Sequence, residues 1–172
     1  MALKRWDVIN RFINAKSLYL EVGVDEGECL RRIQTRWKIG VDVAPNPGVT
    51  TFTCTSDEFF AAWNHRVKFD VIFIDGKHLE EFVDRDVLNA VSCLDDDGVI
   101  IIHDCLPIDM KYAKDQHTGR DESGRLYAWY GTVWRSAVKL AYMDHVDFTV
   151  VDTEDGGCGI IRDGEQAIPN IP

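Results

Sequence analysis

Apolar positions recur with two different periods along this chain, and the two alternate. Residues 3–14 place Leu3, Trp6, Ile9, Phe12 and Ile13 on one side at helical spacing. Residues 17–22 read as a first strand, and 26–36 as a helix carrying Cys29, Leu30 and Ile33. A second strand over 38–43 stops at the turn Pro45-Asn46-Pro47-Gly48, and 49–54 reads as a third. Ser56 or Asp57 can cap the next helix, which buries Phe59, Phe60 and Trp63. Residues 69–74 are almost wholly apolar, the mark of a strand covered on both faces. A helix over 80–94 repeats Phe82, Val83, Val87, Ala90, Val91 and Leu94 at helical spacing. The acidic turn Asp95-Asp96-Asp97-Gly98 then leads into a fifth strand over 99–103.

Strands alternating with helices predict a mostly parallel α/β sheet. The rhythm breaks over 106–130, which is polar, charged and too long for an ordinary connection, so a lid or substrate loop is expected there. Residues 134–142 read as helix again. Residues 148–152 and 159–162 then flank Thr-Glu-Asp-Gly-Gly, a turn that joins two strands as a hairpin. No internal repeat is present, and the tail 163–172 is expected to be loose.

A chain of 172 residues fits a single domain spanning 1–172, and 45% apolar residues exclude a disordered one. No apolar run reaches the roughly 18 to 20 residues that span a bilayer. The N-terminal segment lacks the apolar core of a signal peptide, so a cytoplasmic location away from membranes is expected. Five cysteines without CxxC spacing argue against a disulfide scaffold and a zinc site. A net charge of −10 disfavours nucleic acid as a partner, because phosphate binding needs a basic surface. A small molecule is the expected partner, and association into a homo-oligomer stays open.

Four constellations carry candidate chemistry. The run from Glu21 through Gly23 to Gly27 ends a strand, turns on glycines and begins a helix. Glycine admits a ligand close to the backbone, and a helix N-terminus favours a carboxylate. The spacing E-x-G-x-x-x-G is not the G-x-G-x-x-G that brings a backbone against pyrophosphate. Asp42 ends the second strand, where an acid can accept hydrogen bonds from both ribose hydroxyls. Either feature alone can be an ordinary turn. Together they support an adenosine cofactor without saying which.

Asp75, Lys77 and His78 follow the fourth strand, and His103 and Asp104 end the fifth. Adjacent strands lie about 4.8 Å apart, so Asp75 and Asp104 could share a divalent cation. Carboxylates suit Mg²⁺, Ca²⁺ or Mn²⁺ rather than zinc. A capping role for Asp75 and a backbone-bonded His103 are the plainer alternatives.

The strings YLEVGVDEGECL, IGVDVAP, FDVIFIDGKHLEEFVDRDVLNAVSCLDDDGVIIIHDCLP and WYGTVWRSAVKL together resemble class I S-adenosylmethionine (SAM) methyltransferases. The likeness is greatest to the methyltransferase-24 type of small O-methyltransferase-like domain, over about residues 17–162. It implies a Rossmann-like three-layer α/β/α sandwich whose mostly parallel seven-stranded sheet has an antiparallel last strand. It implies Glu21 and Gly23 near the methionine part of SAM, Asp42 on the ribose, and Thr55, Ser56 or Asp57 near the adenine. Carried over from the metal-dependent catechol-type enzymes, Asp75 and Asp104 become ligands for Mg²⁺ or Mn²⁺, and His78 the base with His103 beside it. Asp75 contacting SAM directly is the competing account. Cys105 stands where that family has an amide, and the short segment before the first strand leads one to expect no long N-terminal helical cap.

The reading that follows is methyl transfer from SAM to an oxygen, or less readily a nitrogen, of a small molecule. A catalytically idle SAM-binding module with an assembly or regulatory role is its rival from another class. An NAD-dependent oxidoreductase is disfavoured by the missing G-x-G and the hairpin end.

Overall fold

Residues 3–117, 119 and 129–164 are described by the structure, a computed structural model. Seven strands run in chain order as β1 (Leu18–Val22), β2 (Trp37–Asp42), β3 (Phe52–Thr53), β4 (Phe69–Ile74), β5 (Leu94–Ile102), β6 (Val146–Val151) and β7 (Cys158–Asp163). They form one sheet ordered β3-β2-β1-β4-β5-β7-β6. β1 through β5 pair in parallel, while β7 runs antiparallel to both β5 and β6. The reversed seventh strand expected from the hairpin is therefore present.

Alternation along the strands divides the core between the two faces. Leu20, Val22, Ile72, Ile74, Ile100 and Ile102 point to one face. There they pack with side chains of α3 (Ser56–Ala62), α4 (Glu80–Val91) and α5 (Val133–Ala141). Tyr19, Val71, Phe73, Val99 and Ile101 point to the other, toward α1 (Arg5–Ile9) and α2 (Glu28–Arg32). Helices on both faces make the three-layer sandwich.

Several elements are shorter than their hydrophobic pattern predicts. α2 begins only at Glu28 because Gly27 takes a left-handed φ of 74°. It ends early because Ile33 is extended, and Lys38 Nζ binds the carbonyls of Leu30 and Ile33 at 2.8 and 3.1 Å. β3 keeps two residues of the expected six, since Val49 and Thr50 turn back to bond the Asn46 carbonyl. Helix α3 is capped by Thr55 rather than by Ser56 or Asp57. Its Oγ1 accepts from the Glu58 N–H while Glu58 accepts from the Thr55 N–H at 2.9 Å, a reciprocal capping box. α4 stops at Val91, where the Ser92 hydroxyl donates back to the Asn89 carbonyl. The acidic run 95–97 lies within β5 instead of forming a turn before it, and the pairing register with β4 shifts at that point.

The register fixes what stands at the upper edge. Val22, Ile74 and Ile102 are aligned across three neighbouring strands. The ladder runs one residue further, with Asp75 N–H donating to the Val22 carbonyl at 2.8 Å and His103 N–H to the Ile74 carbonyl at 3.1 Å. Gly23, Asp75 and His103 therefore emerge side by side at the carboxyl ends of the central strands. Among the described residues no helix is long and apolar enough to cross a membrane.

Candidate active site

A cleft of about 910 Å³ opens along this edge. Glu21, Gly23, Asp42, Ser56, Asp57, Asp75, His78, His103 and Asp104 line it, together with Thr55, Trp129 and Tyr130. Gly27 does not; it supports the loop from behind, where a Cβ would fall 2.2 Å from Val49 Cγ1.

The glycine loop is built from inside the sheet. Glu21 is 1% exposed and accepts the Tyr19 hydroxyl at 2.6 Å. Burial raises its pKa to about 7, against the opposing pull of that hydrogen bond. Gly23 has φ 83°, and a Cβ there would lie 2.1 Å from the Asp75 carbonyl oxygen, so the turns after β1 and β4 touch only because no side chain intervenes. Asp42 shapes the same loop. Its Oδ2 accepts the N–H groups of Val24 and Asp25 at 2.8 and 3.0 Å, and its Oδ1 that of Ala44 at 2.9 Å. Burial works against these bonds, yet they hold its pKa below the ordinary value. Asp57, which also lines the cleft, pairs with Arg85 at 2.8 Å.

At the reactive edge, His103 Nδ1 stands 3.1 Å from both Asp75 Oδ1 and Asp104 Oδ1. His78 Nδ1 lies 2.8 Å from Asp104 Oδ2 and 2.9 Å from the Trp129 carbonyl. Its ring stacks on the Trp129 indole at 5.3 Å and 10°. His78 Nε2 is 3.6 Å from Asp75 Oδ1, too far for a hydrogen bond. Burial alone would lower both imidazole pKa values. The hydrogen bond and charge of Asp104 outweigh it at His78, and the charges of Asp75 and Asp104 at His103, raising them to about 9 and about 10. Burial acts against ionisation of Asp75, but His103 holds its pKa below the ordinary value.

Two members of this cluster were not anticipated from the sequence. Asp155, in the β6–β7 turn, approaches His103 Nε2 at 3.8 Å, and Arg5 of α1 reaches Asp75 and Asp155 at 3.8 and 3.7 Å. Three carboxylates thus face two imidazoles and one guanidinium. An acid in the predicted hairpin turn was the one available signal for Asp155. Arg5 carried none, being one of several charges on a short amphipathic helix.

Asp75, His78 and Asp104 each offer a ligand atom, all within 4.8 Å of one another. Two carboxylates and an imidazole fit a divalent ion such as Mn²⁺. Cys105 cannot join them, because its thiol turns inward and donates to the Ile102 carbonyl at 3.5 Å. The segment expected to act as a lid is only partly described, since 118 and 120–128 lie outside the described residues, as does the tail from 165 onward. Its ends are pinned: Leu106 N–H donates to the Gly156 carbonyl, Tyr130 N–H to the Tyr112 carbonyl, and Trp129 Nε1–H to the Lys114 carbonyl at 2.7 Å.

Residues 22–105, from the end of β1 to the position after Asp104, match a family model described as a methyltransferase domain, of the methyltransferase-24 type. The recognition of a class I SAM methyltransferase from these strand ends is thereby borne out. No curated protein matches the chain. Among solved structures it resembles the MycE methyltransferase of the mycinamycin biosynthetic pathway, in complex with Mg, SAH (S-adenosylhomocysteine) and mycinamycin VI. That likeness has 14% identity and a TM-score of 0.53, over 96% of this chain and 50% of MycE, so the chain spans about half of MycE's length. Cofactor-bound Rv0187 from MTB aligns at 14% identity and a TM-score of 0.59, over 87% of this chain and 74% of Rv0187. The O-methyltransferase from Bacillus cereus, in complex with SAH, aligns at 16% identity and a TM-score of 0.55, over 86% of this chain and 74% of its own. At these identities the structures establish the fold, the Rossmann-like sandwich expected above.

Proposed function

We propose that the chain is a single domain that transfers the methyl group of SAM to an oxygen of a small-molecule acceptor. The observation that carries this reading is the convergence of the glycine loop, Asp42 and the Asp75–His78–His103–Asp104 cluster on one cleft. The cofactor fits what lines it: the Glu21 carboxylate suits an ammonium group, Gly23 leaves the backbone open to close approach, and Asp42 suits a ribose diol.

SAM supplies a methyl group on a cationic sulfur, so alignment of the two substrates accounts for much of the catalysis. The chain's own work is to hold and orient. Glu21 and Gly23 take the amino-acid end, Asp42 the ribose, and Thr55, Ser56 and Asp57 the base. Trp129 and the stacked His78 ring border the acceptor. Asp104 orients His78 through Nδ1. With its pKa raised to about 9 by the neighbouring carboxylates, the ring is doubly protonated near neutral pH, so Nε2 can take the acceptor's proton only once the cationic sulfonium, brought to the same edge, has pushed that pKa back down. His103 keeps Asp75 and Asp104 neutralised and in place.

Divalent-metal assistance is a second reading, favoured by the donor spacing of Asp75, His78 and Asp104. An ion there would lower the pKa of the acceptor and orient it. Anomalous scattering from crystals soaked in Mn²⁺ tests it, and no peak between Asp75 and Asp104 leaves the metal-free version.

Calorimetric titration with SAH and with NAD tests the main reading. SAH should bind and NAD should not, and Asp42→Ala should weaken SAH by about 1.5 to 3 kcal/mol, the scale of lost charged hydrogen bonds. Binding of NAD instead of SAH would favour the oxidoreductase. Binding of SAH by a protein that methylates no acceptor would favour the idle module.

A further inference from the structure

We propose that Arg5 is the carboxylate anchor for the amino-acid end of SAM, held by Asp155, and that it makes the cleft select the intact zwitterion over adenosyl thioethers lacking that carboxylate. The inference rests on the SAM reading given above.

Arg5 lines the same cleft as Glu21, Gly23 and Cys29, and its charge acts on Glu21. An ammonium group held by Glu21 places its own carboxylate a few ångströms away, and that carboxylate needs a cation among the surrounding acids. Among the described residues, Arg5, Lys77 and Arg85 are, besides the two histidines, the cationic side chains lining the cleft. Lys77 and Arg85 are both drawn onto the Phe82 ring, at 3.7 and 4.7 Å from its centroid. That leaves Arg5.

The guanidinium is positioned while its donors remain largely unspent. Its nearest carboxylate contacts, 3.7 and 3.8 Å, are ion pairs longer than hydrogen bonds, and its buried Nε–H has no partner among the described residues. A planar fork with unused N–H groups suits a carboxylate. The backbone that carries it is tied down at several points. Glu154 N–H donates to the Leu3 carbonyl at 3.0 Å, Lys4 pairs with Glu154, and Arg5 N–H reaches Asp155 at 3.5 Å. Val8 and Ile9 are fully buried against the sheet. Helix α1 thus docks on the β6–β7 turn and presents Arg5 to the cleft as a fixed group.

The test is calorimetric titration of wild type, Arg5→Gln and Arg5→Lys with SAH and with 5′-methylthioadenosine, which shares the adenosyl thioether but lacks the amino-acid carboxylate. Arg5→Gln should weaken SAH about 10- to 100-fold, the range expected for a charged hydrogen bond. It should leave 5′-methylthioadenosine within about twofold, and Arg5→Lys should recover part of the loss. SAH affinity unchanged in Arg5→Gln would overturn the assignment while leaving the cofactor reading intact. Equal weakening of both ligands would also overturn it, showing that Arg5 acts through the shape of the cleft. Wild type that binds neither ligand would remove the cofactor reading, and this inference with it.

Discussion

Replacing Asp86 with asparagine should stabilise the protein by an amount that grows with pH. Asp86 sits on α4 at 3% exposure, and its Oδ1 has no hydrogen-bond partner among the described residues. Burial raises its pKa from 3.8 to about 6, with Asp57 adding to the rise and Ser56 and Arg85 opposing it. A carboxyl whose pKa is raised on folding binds more protons folded than unfolded, so stability falls as pH rises between the two values. A rise of about two units corresponds to roughly 3 kcal/mol lost by pH 8, of which roughly 1 to 1.5 kcal/mol disappears between pH 5 and pH 8. Asparagine carries no ionisation, so its own packing cost is the same at every pH. Urea unfolding of wild type and Asp86→Asn at pH 5 and pH 8 isolates the effect, because Glu21 and the histidines cancel in the difference. The stability of the variant relative to wild type should increase by that roughly 1 to 1.5 kcal/mol between the two pH values. A difference that stays flat would mean that Asp86 is solvated in the folded protein.

Two further outcomes follow from the geometry of the edge. Gly23→Ala should cost at least about 2 kcal/mol in urea unfolding, since a Cβ would fall 2.1 Å from the Asp75 carbonyl at a left-handed φ. Asp104→Asn should lower the His78 pKa from about 9 toward its ordinary 6.5, read by NMR titration of the imidazole protons, because the largest upward influence on that ring is removed. The stability that His78 contributes in wild type, full below pH 6.5 and lost as pH rises through about 9, should shrink in the same variant.

Local pattern alone settled the strand and helix alternation, because each period records which faces of an element are buried. The apolar run over 69–74 predicted β4 to the residue, since a strand covered on both faces reads as a short, nearly continuous apolar run. The strand ends also announced Glu21, Asp42, Asp75 and His103, because polar residues abutting apolar runs mark where a strand leaves the core. The lengths of α2 and β3 were not legible. They depend on Lys38 reaching the carbonyls of Leu30 and Ile33, and on Asn46 capturing Val49 and Thr50.

What only the tertiary structure decided is which of those side chains meet, and in what charge state. Arg5 and Asp155 are separated by 150 positions, and nothing in either neighbourhood signals the other. They meet because α1 packs on one face of the sheet and the reversed β7 brings its turn to the same edge. His78 reads in sequence as a free base three residues beyond an acid. In the fold Asp104, from the neighbouring strand, holds its proton in place. Cys105 occupies a ligand position by sequence, yet its thiol turns into the core toward the Ile102 carbonyl. Sequence periodicity reports burial along one element at a time. Partners, protonation and the direction of a side chain at a strand end depend on groups contributed by other elements, and only their packing supplies them.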